Sequence, residues 1–150
     1  MAKGGQGRTL SQMRSRARWF AVQALYQWQL SGQNLHEIEQ QFLDGHEIGK
    51  CDVEYFSELL HQVPAHLDEV DARLRPFLDR PVEEVDPVER AILRIGAYEF
   101  GFRPDVPYRV VINEAVELAK TFGAEQGHKY VNGVLDKVAK ELRAVEMRGK

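Results

Sequence analysis

The stretch from Pro107 to Leu142 constrains the fold most strongly, because apolar residues recur in it at helical spacing twice in succession. In the first half they stand three or four positions apart: Val111, Ala115, Leu118 and Phe122. In the second half the same spacing is kept by Val131, Val134, Leu135, Val138 and Leu142. Each half therefore predicts an amphipathic helix. Since their connection is short, the two helices must pack against each other as a helical hairpin.

Proline and glycine mark the ends of this predicted hairpin. Pro107 suits a helix start, because its fixed φ fits the first turn and its missing N–H would have no partner there. Gly123 suits a helix end, where a left-handed residue is common. Gly133 lies inside the second helix, where glycine costs about 1 kcal/mol relative to alanine. Close backbone packing at Gly133 would explain that cost.

Five further helical patterns precede the hairpin, and we find no convincing alternating strand pattern. The helical patterns cover residues 9–31, 34–43, 52–64, 67–78 and 86–104. The sequence therefore predicts an all-α fold of about seven helices. Arg94 is expected to project from the fifth of these helices. A subdomain break is expected near residues 81–86, and residues 1–8 are expected to be flexible.

The charges are distributed unevenly along the chain. The net charge is −3, yet residues 1–36 contain no acidic side chain and five basic ones: Lys3, Arg8, Arg14, Arg16 and Arg18. A basic N-terminal segment before an acidic remainder is typical of a nucleic-acid contact, although a solvated tail followed by an ordinary basic helix face is the alternative. Tyr26 lies two helical turns from Arg18, so it could extend the basic stripe as a stacking surface. Its alternative is a residue at the core boundary.

The connection at residues 122–130 contains polar and aromatic groups beside a helix N-terminus, where free N–H groups attract anions. Tyr130 could serve there as a stacking platform or could pack against Phe122. Asn113 and Asn132 stand near the apolar stripes, and hydrogen bonding between helix and loop is the favoured interpretation of both amides.

No catalytic, metal or cofactor site is predicted. The five histidines are scattered, Cys51 is the only cysteine, and no phosphate-binding glycine loop or nucleophile motif occurs. No run is apolar and long enough for a membrane span, and the N-terminus lacks a secretory pattern, so we expect a cytoplasmic protein without an enzymatic role.

Several runs together closely resemble the NusB family of bacterial transcription antitermination factors, and they occur in the family's order over nearly the whole chain. The runs are Ala21–Trp28, Glu89–Glu99, Asp105–Lys120, Phe122–Gly123 and Lys129–Lys137. The resemblance implies two small helical bundles packed into one compact domain over residues 1–150. It also implies binding to the boxA element of nascent RNA jointly with NusE, a ribosomal small-subunit protein. The resemblance further implies that the protein works with the transcription elongation complex and supports processive transcription of ribosomal RNA operons.

The resemblance, taken position by position, implies a set of RNA-binding residues. The set comprises Arg8, Arg14, Arg16, Arg18, Tyr26, Arg94, Gln126, Lys129 and Tyr130. Glu89 and its helix face are the implied contact for the protein partner. No cofactor is implied.

Two other functions are compatible with a helical domain of this kind. A similar domain occurs as the substrate-binding N-terminal part of some RNA cytosine methyltransferases, but these 150 residues contain no Rossmann-like module for a methyl donor. A purely structural dimer is the third alternative, which strong self-association without RNA affinity would favour.

Overall fold

The computed structural model describes residues 9–45 and 48–149, and all regular structure within these ranges is helical. The α-helices are α1 (Leu10–Ser31), α2 (Leu35–Gly45), α3 (Val53–Ala65), α4 (Leu67–Leu74), α5 (Pro87–Phe102), α6 (Tyr108–Phe122), α7 (Gly127–Leu142) and α8 (Ala144–Arg148). Short 3₁₀ turns occupy Ile48–Lys50, Arg75–Phe77 and Val82–Glu84. The all-α prediction is confirmed.

Seven of these helices coincide with the seven predicted patterns, with shifts at their ends. The fourth pattern stops being α-helical at Leu74 and continues as a 3₁₀ turn containing Pro76. The last predicted helix begins at Gly127, so Tyr130 lies within its first turn rather than at its start. The eighth helix has five residues, which is too short to show a periodic stripe.

The chain divides into two compact units, Met1–Gln62 and Val63–Lys150. The first contains α1, α2 and most of α3, and the second contains α4 to α8. Residues 81–86, where the sequence suggested a subdomain break, lie inside the second unit. The assignment of residues 1–150 to a single domain stays a prediction.

Three phenylalanine rings, one from each helix, form the core of the first unit. Phe20 of α1 meets Phe42 of α2 and Phe56 of α3 edge-on, with ring centres 6.4 and 6.5 Å apart. Phe42 and Phe56 lie 5.8 Å apart. Aromatic pairs prefer such offset and edge-on arrangements. The rings therefore fix how α1, α2 and α3 pack within this unit.

Both ends of α1 are closed by local hydrogen bonds. Thr9 accepts from the Gln12 N–H at 3.0 Å, and the Gln12 side chain accepts from the Thr9 N–H at 2.9 Å, which is a reciprocal capping box. Gly32 follows the helix in the left-handed region at φ 68°, and its N–H donates to the Trp28 carbonyl. Sequence and structure agree on both ends.

Helix α5 is the central element of the second unit, because α4, α6 and α7 all pack against it. Most of its residues from Glu89 to Phe100 are buried, so it has no wide solvent-exposed face. The predicted hairpin of α6 and α7 is confirmed, and its buried stripes are largely those predicted from spacing.

The buried guanidinium of Arg143, just after α7, closes the C-terminal end of α5. Its N–H groups donate, over 2.9 to 3.1 Å, to the backbone carbonyls of Glu99, Phe100, Arg103 and Val106. The last carbonyls of a helix lack partners within the helix, and a cation there also complements the helix dipole. Arg143 is 7% exposed, so water cannot easily replace these bonds.

Glu146 of α8 ties Arg143 to the start of α6. One carboxylate oxygen accepts from Arg143 Nη1 at 2.6 Å, and the other accepts from the Tyr108 N–H at 2.9 Å. The short helix α8 thus supplies the counter-charge for Arg143 and caps the N-terminus of α6.

Arg143→Leu should therefore lower the free energy of unfolding by about 3 kcal/mol or more, because it leaves several buried carbonyls and a carboxylate without their donor. Urea denaturation followed by circular dichroism measures the change. Arg148→Leu is the matched control, since Arg148 is exposed on α8. Equal midpoints for the two variants would contradict this account.

The glycine that permits close helix packing is Gly96 of α5, not Gly133. A Cβ at Gly96 would lie 2.9 Å from Leu135 Cδ1, whereas a Cβ at Gly133 would meet nothing within 4 Å. The expected close packing at Gly133 is therefore wrong. The left-handed conformation expected at Gly123 is also wrong, because its φ is −91°. A Cβ there would instead lie 2.8 Å from the Ala119 carbonyl oxygen.

Substitution of the two helical glycines should have opposite effects. Gly133→Ala should raise the free energy of unfolding by up to about 1 kcal/mol, because alanine favours the helix and has room for its methyl group. Gly96→Ala should lower it by about 1–3 kcal/mol, because Leu135 must move. Thermal or urea denaturation of both variants is the measurement, and stabilisation by Gly96→Ala would refute the packing argument.

Candidate nucleic-acid interface

In the first unit, Arg14 and Arg18 of α1 share the ring of Tyr55 on α3. Their guanidinium carbons lie 4.7 and 5.4 Å from the ring centre. Arg14 and Arg18, one helical turn apart, therefore point the same way. Arg18, however, is only 3% exposed, so its charge is held over the tyrosine face inside the unit. Arg18 is therefore buried in this conformation, and its role as an RNA contact stays a prediction.

The remaining basic residues of α1 are more accessible. The Arg14 side chain is 23% exposed, with its Nε 3.7 Å from Asp52. Arg16 is half-buried, with its guanidinium carbon 4.0 Å from the centre of the Trp19 ring. Arg8 lies outside the described residues. Tyr26 is 38% exposed and presents its ring to solvent further along α1.

In the second unit, the predicted residues Gln126, Lys129 and Tyr130 meet at the N-terminus of α7. Gln126 and Lys129 are exposed, and the Lys129 N–H donates to the Gln126 carbonyl at 3.1 Å. Tyr130 is half-buried in the same turn. The structure therefore brings an amide, an ammonium group and an aromatic ring together beside the free N–H groups of a helix start.

The ring of Tyr130 is fixed by Asp79 and Arg80, which follow α4. Its hydroxyl donates to Asp79 Oδ1 at 3.0 Å, and the Arg80 guanidinium carbon lies 5.5 Å from the ring centre. Arg80 also donates through Nε and Nη2 to both Asp79 oxygens, at 2.7 and 2.9 Å. The side chain of Tyr130 therefore contacts this Asp79–Arg80 pair.

Sequence analysis missed this pair, since Arg80 stands among many acids and reads as ordinary surface charge. Fifty positions separate Arg80 from Tyr130, and no periodic pattern connects them. Only the packing of the chain brings the residues together. Arg80 adds a second cation to the group formed by Gln126, Lys129 and Tyr130.

The Asp79 carboxylate is strongly ionised. Hydrogen bonding from Arg80, with a smaller effect from Tyr130, lowers the pKa of Asp79 to about 2. Burial and the bond to Asp79 raise the pKa of Tyr130. At neutral pH the group therefore consists of a carboxylate, a guanidinium and a neutral phenol.

Glu89 of α5 lies against the first turn of α7. Its Oε2 occupies the place where a side chain at Gly127 would begin, so a larger residue there would require the Glu89 carboxylate to move. Burial and the charge of Asp86 raise the pKa of Glu89, while the charge of Arg80 acts in the opposite direction. Glu89 is 9% exposed. Its role as a partner contact stays a prediction.

Arg94 does not project from α5, contrary to the sequence-based expectation. It is 8% exposed, and its Nε and Nη2 each donate to one Asp71 oxygen at 2.9 Å. A cation on a helix covered by three neighbours must be paired inside the unit. Arg94 therefore forms a structural ion pair with Asp71 in this conformation and is not included in the candidate RNA surface.

The two asparagines of the hairpin do not need partners within the fold. Asn113 on α6 and Asn132 on α7 are both exposed. Hydrogen bonding that fixes the loop, the favoured interpretation from sequence, is thus not required at either residue.

Within residues 9–45 and 48–149 we find no cluster of three or more histidine, cysteine or acidic side chains arranged for a metal ion. Over the same part of the chain, no helix combines the length and apolar character needed to cross a bilayer. Cys51 is buried, and burial with the charge of Asp52 raises its pKa to about 11, which disfavours the reactive thiolate.

Comparison with known sequences identifies close relatives. The family model of the NusB family matches residues 15–140. Transcription antitermination protein NusB of Nitrosococcus oceani is 58% identical over 141 residues, which cover 94% of this chain and 95% of that protein. The protein of the same name from Pseudomonas entomophila is 56% identical over 138 residues, covering 92% and 83%.

Solved structures show the same fold. NusB from T. maritima superposes with a TM-score of 0.75 at 29% identity, covering 85% of this chain and 91% of that one. A chain from the crystal structure of antitermination factors NusB and NusE in complex with double-stranded RNA gives 0.74 at 30% identity, covering 86% and 97%. Together with the sequence match, this shows that the chain belongs to the NusB family.

Proposed function

We propose that this chain is a cytoplasmic transcription antitermination factor that binds boxA RNA of nascent transcripts together with NusE. It acts in the transcription elongation complex to support processive transcription of ribosomal RNA operons, and it catalyses no reaction. The observation that carries the proposal is that half-buried Tyr130 lies beside exposed Arg80 and shares the start of α7 with the exposed residues Gln126 and Lys129. The structural relative crystallised with NusE and RNA supports the same class of ligand.

The group at the start of α7 has the chemistry needed for single-stranded RNA. An aromatic ring stacks on any base, a cation holds the adjacent phosphate, and an amide can bond to a base edge. Tyr130 supplies the ring, Lys129 the cation and Gln126 the amide. This unit therefore offers some base recognition in addition to charge.

In the first unit, α1 offers mainly charge. Arg14 and Arg16 retain exposed surface for phosphates, and Tyr26 offers a further ring. Phosphate contacts position an RNA without reading its sequence. The first unit should thus contribute affinity and salt dependence rather than base selection.

Loss of one phosphate contact on α1 should be visible in the salt dependence of binding. Arg16→Gln should weaken boxA RNA binding and flatten the slope of log K against log salt by roughly 0.7, the value for one phosphate contact to a single strand. Fluorescence anisotropy at several salt concentrations is the measurement, with circular dichroism to verify the fold.

Arg73→Gln is the matched control for Arg16→Gln. Arg73 is an exposed arginine of α4 that pairs with Glu69 on its own helix, 4.0 Å away. Arg73→Gln should leave both the affinity for boxA RNA and the slope of log K against log salt unchanged. If Arg16→Gln left the slope unaltered, Arg16 would not contact phosphate.

A surface of so few groups should bind RNA weakly alone, and NusE should strengthen it. We expect NusE to tighten boxA binding by roughly 5–150-fold, the usual range for coupling between two ligands. By linkage, boxA RNA must tighten NusE binding by the same factor. Titration calorimetry of all four legs of the cycle, at one salt concentration, measures both.

A scrambled RNA of equal length is the control for the cycle and should show little coupling. Independent binding of NusE and boxA would argue against the cooperative antitermination factor and in favour of a simple RNA-binding protein. Absence of RNA binding even with NusE would refute the proposed function itself.

A further inference from the structure

We propose that Asp79 competes with RNA for Arg80, so that RNA binding transfers the Arg80 guanidinium from the Asp79 carboxylate to a phosphate beside Tyr130. This inference rests on the proposed function, because it assigns the partner that displaces Asp79. It adds Arg80 as an RNA contact and Asp79 as a residue that limits affinity.

The geometry of the free protein presents Arg80 in a bonded but open state. Two N–H groups of its guanidinium are held by Asp79, while its side chain remains 47% exposed. Arginine has five N–H donors in a planar fork. The fork therefore faces solvent on the side away from Asp79, next to the ring of Tyr130.

A phosphate can replace Asp79 at little cost. The pair is exposed, and exposed ion pairs contribute little to stability. Phosphate offers the arginine fork the same two-oxygen geometry that the carboxylate does. A nucleotide stacked on Tyr130 would bring its phosphate within reach of Arg80, since the guanidinium carbon is 5.5 Å from the ring centre.

Asp79 stays near the incoming RNA after the exchange, and its charge then opposes binding. Two arrangements keep the carboxylate in place, namely its bond from the Tyr130 hydroxyl and its position next to Arg80 in the chain. Asp79 is ionised in the free protein, and an unpaired aspartate carboxylate also stays ionised near neutral pH, so protonation does not relieve the repulsion. Like charges placed together weaken association.

Asp79 also has a favourable role, because it orients the Tyr130 ring through the hydroxyl. Asp79→Asn separates the two effects. The amide keeps an oxygen that can accept a hydrogen bond from Tyr130, but it loses the negative charge and the ion pair with Arg80. The substitution should therefore increase RNA affinity rather than reduce it.

We expect Asp79→Asn to tighten boxA RNA binding about threefold to tenfold, from the removed repulsion and the freed cation. Arg80→Gln should flatten the slope of log K against log salt by about 0.7, because it removes one phosphate contact. Arg80→Gln should weaken binding, and the gain from Asp79→Asn should be smaller in the Arg80→Gln background, because only the removed repulsion then remains. Anisotropy with labelled boxA RNA, with and without NusE, measures all four proteins.

Asp105→Asn is the matched control. Asp105 accepts two hydrogen bonds at 3.0 Å from Arg103, also in a short-range pair, but it precedes α6. Helix α6 is roughly 22 Å long, and the connection to α7 is at its other end. Asp105→Asn removes the same negative charge from a similar two-bond Arg–Asp pair, and it should leave RNA affinity unchanged.

The outcomes separate this inference from the proposed function. If the unmodified protein fails to bind RNA with NusE present, the proposed function fails. If it binds but Asp79→Asn is unchanged or weaker, Asp79 does not limit affinity and the inference is overturned. It is also overturned if the gain is undiminished without Arg80. In the unmodified protein, the Arg80 Nε–H resonance should shift on RNA addition, and an unmoved signal would contradict the transfer.

Discussion

The buried guanidinium of Arg143 holds the second unit together at the point where three helices meet. It satisfies the carbonyls that end α5, and its counter-charge, Glu146, caps the start of α6. Because α5 is covered by α4, α6 and α7, its end cannot rely on water for hydrogen bonds. The turn between α5 and α6, and with it the placement of the hairpin, depends on this one side chain. The candidate RNA-binding group at the other end of the hairpin is positioned by the same packing.

The basic side chains of this fold fall into two groups. The buried ones have partners in the interior, and the others remain accessible at the surface. Arg143, Arg94 and Arg18 are each less than a tenth exposed, and each has partners inside its own unit. Arg16, Lys129 and Arg80 retain open surface, where Arg16 lies over Trp19 and Arg80 pairs with exposed Asp79. A count of basic residues along the sequence therefore overestimates the charge available to RNA.

The helices were predictable from the sequence because apolar spacing and end signals act locally. The predicted helical patterns at residues 9–31 and 86–104 begin where Thr9 and Asp86 cap α1 and α5. The candidate site was predictable only where it lies on one local segment, as with Gln126, Lys129 and Tyr130. Arg94 was misplaced because α5 is buried nearly all round, so a polar residue on it does not indicate a solvent-facing side. Asp79 and Arg80 were missed because their contact with Tyr130 is made by tertiary packing alone.

Tyr55 has a consequence for how the surface of α1 can change among related proteins. Its ring on α3 supports both Arg14 and Arg18, although it carries no charge itself. Replacement of this ring would remove the aromatic contact of two guanidinium groups at once and change the distribution of positive potential on α1. The electrostatic surface can therefore diverge while every arginine is retained. An inventory of arginines in aligned family members would not detect such divergence, whereas the residue type at position 55 would.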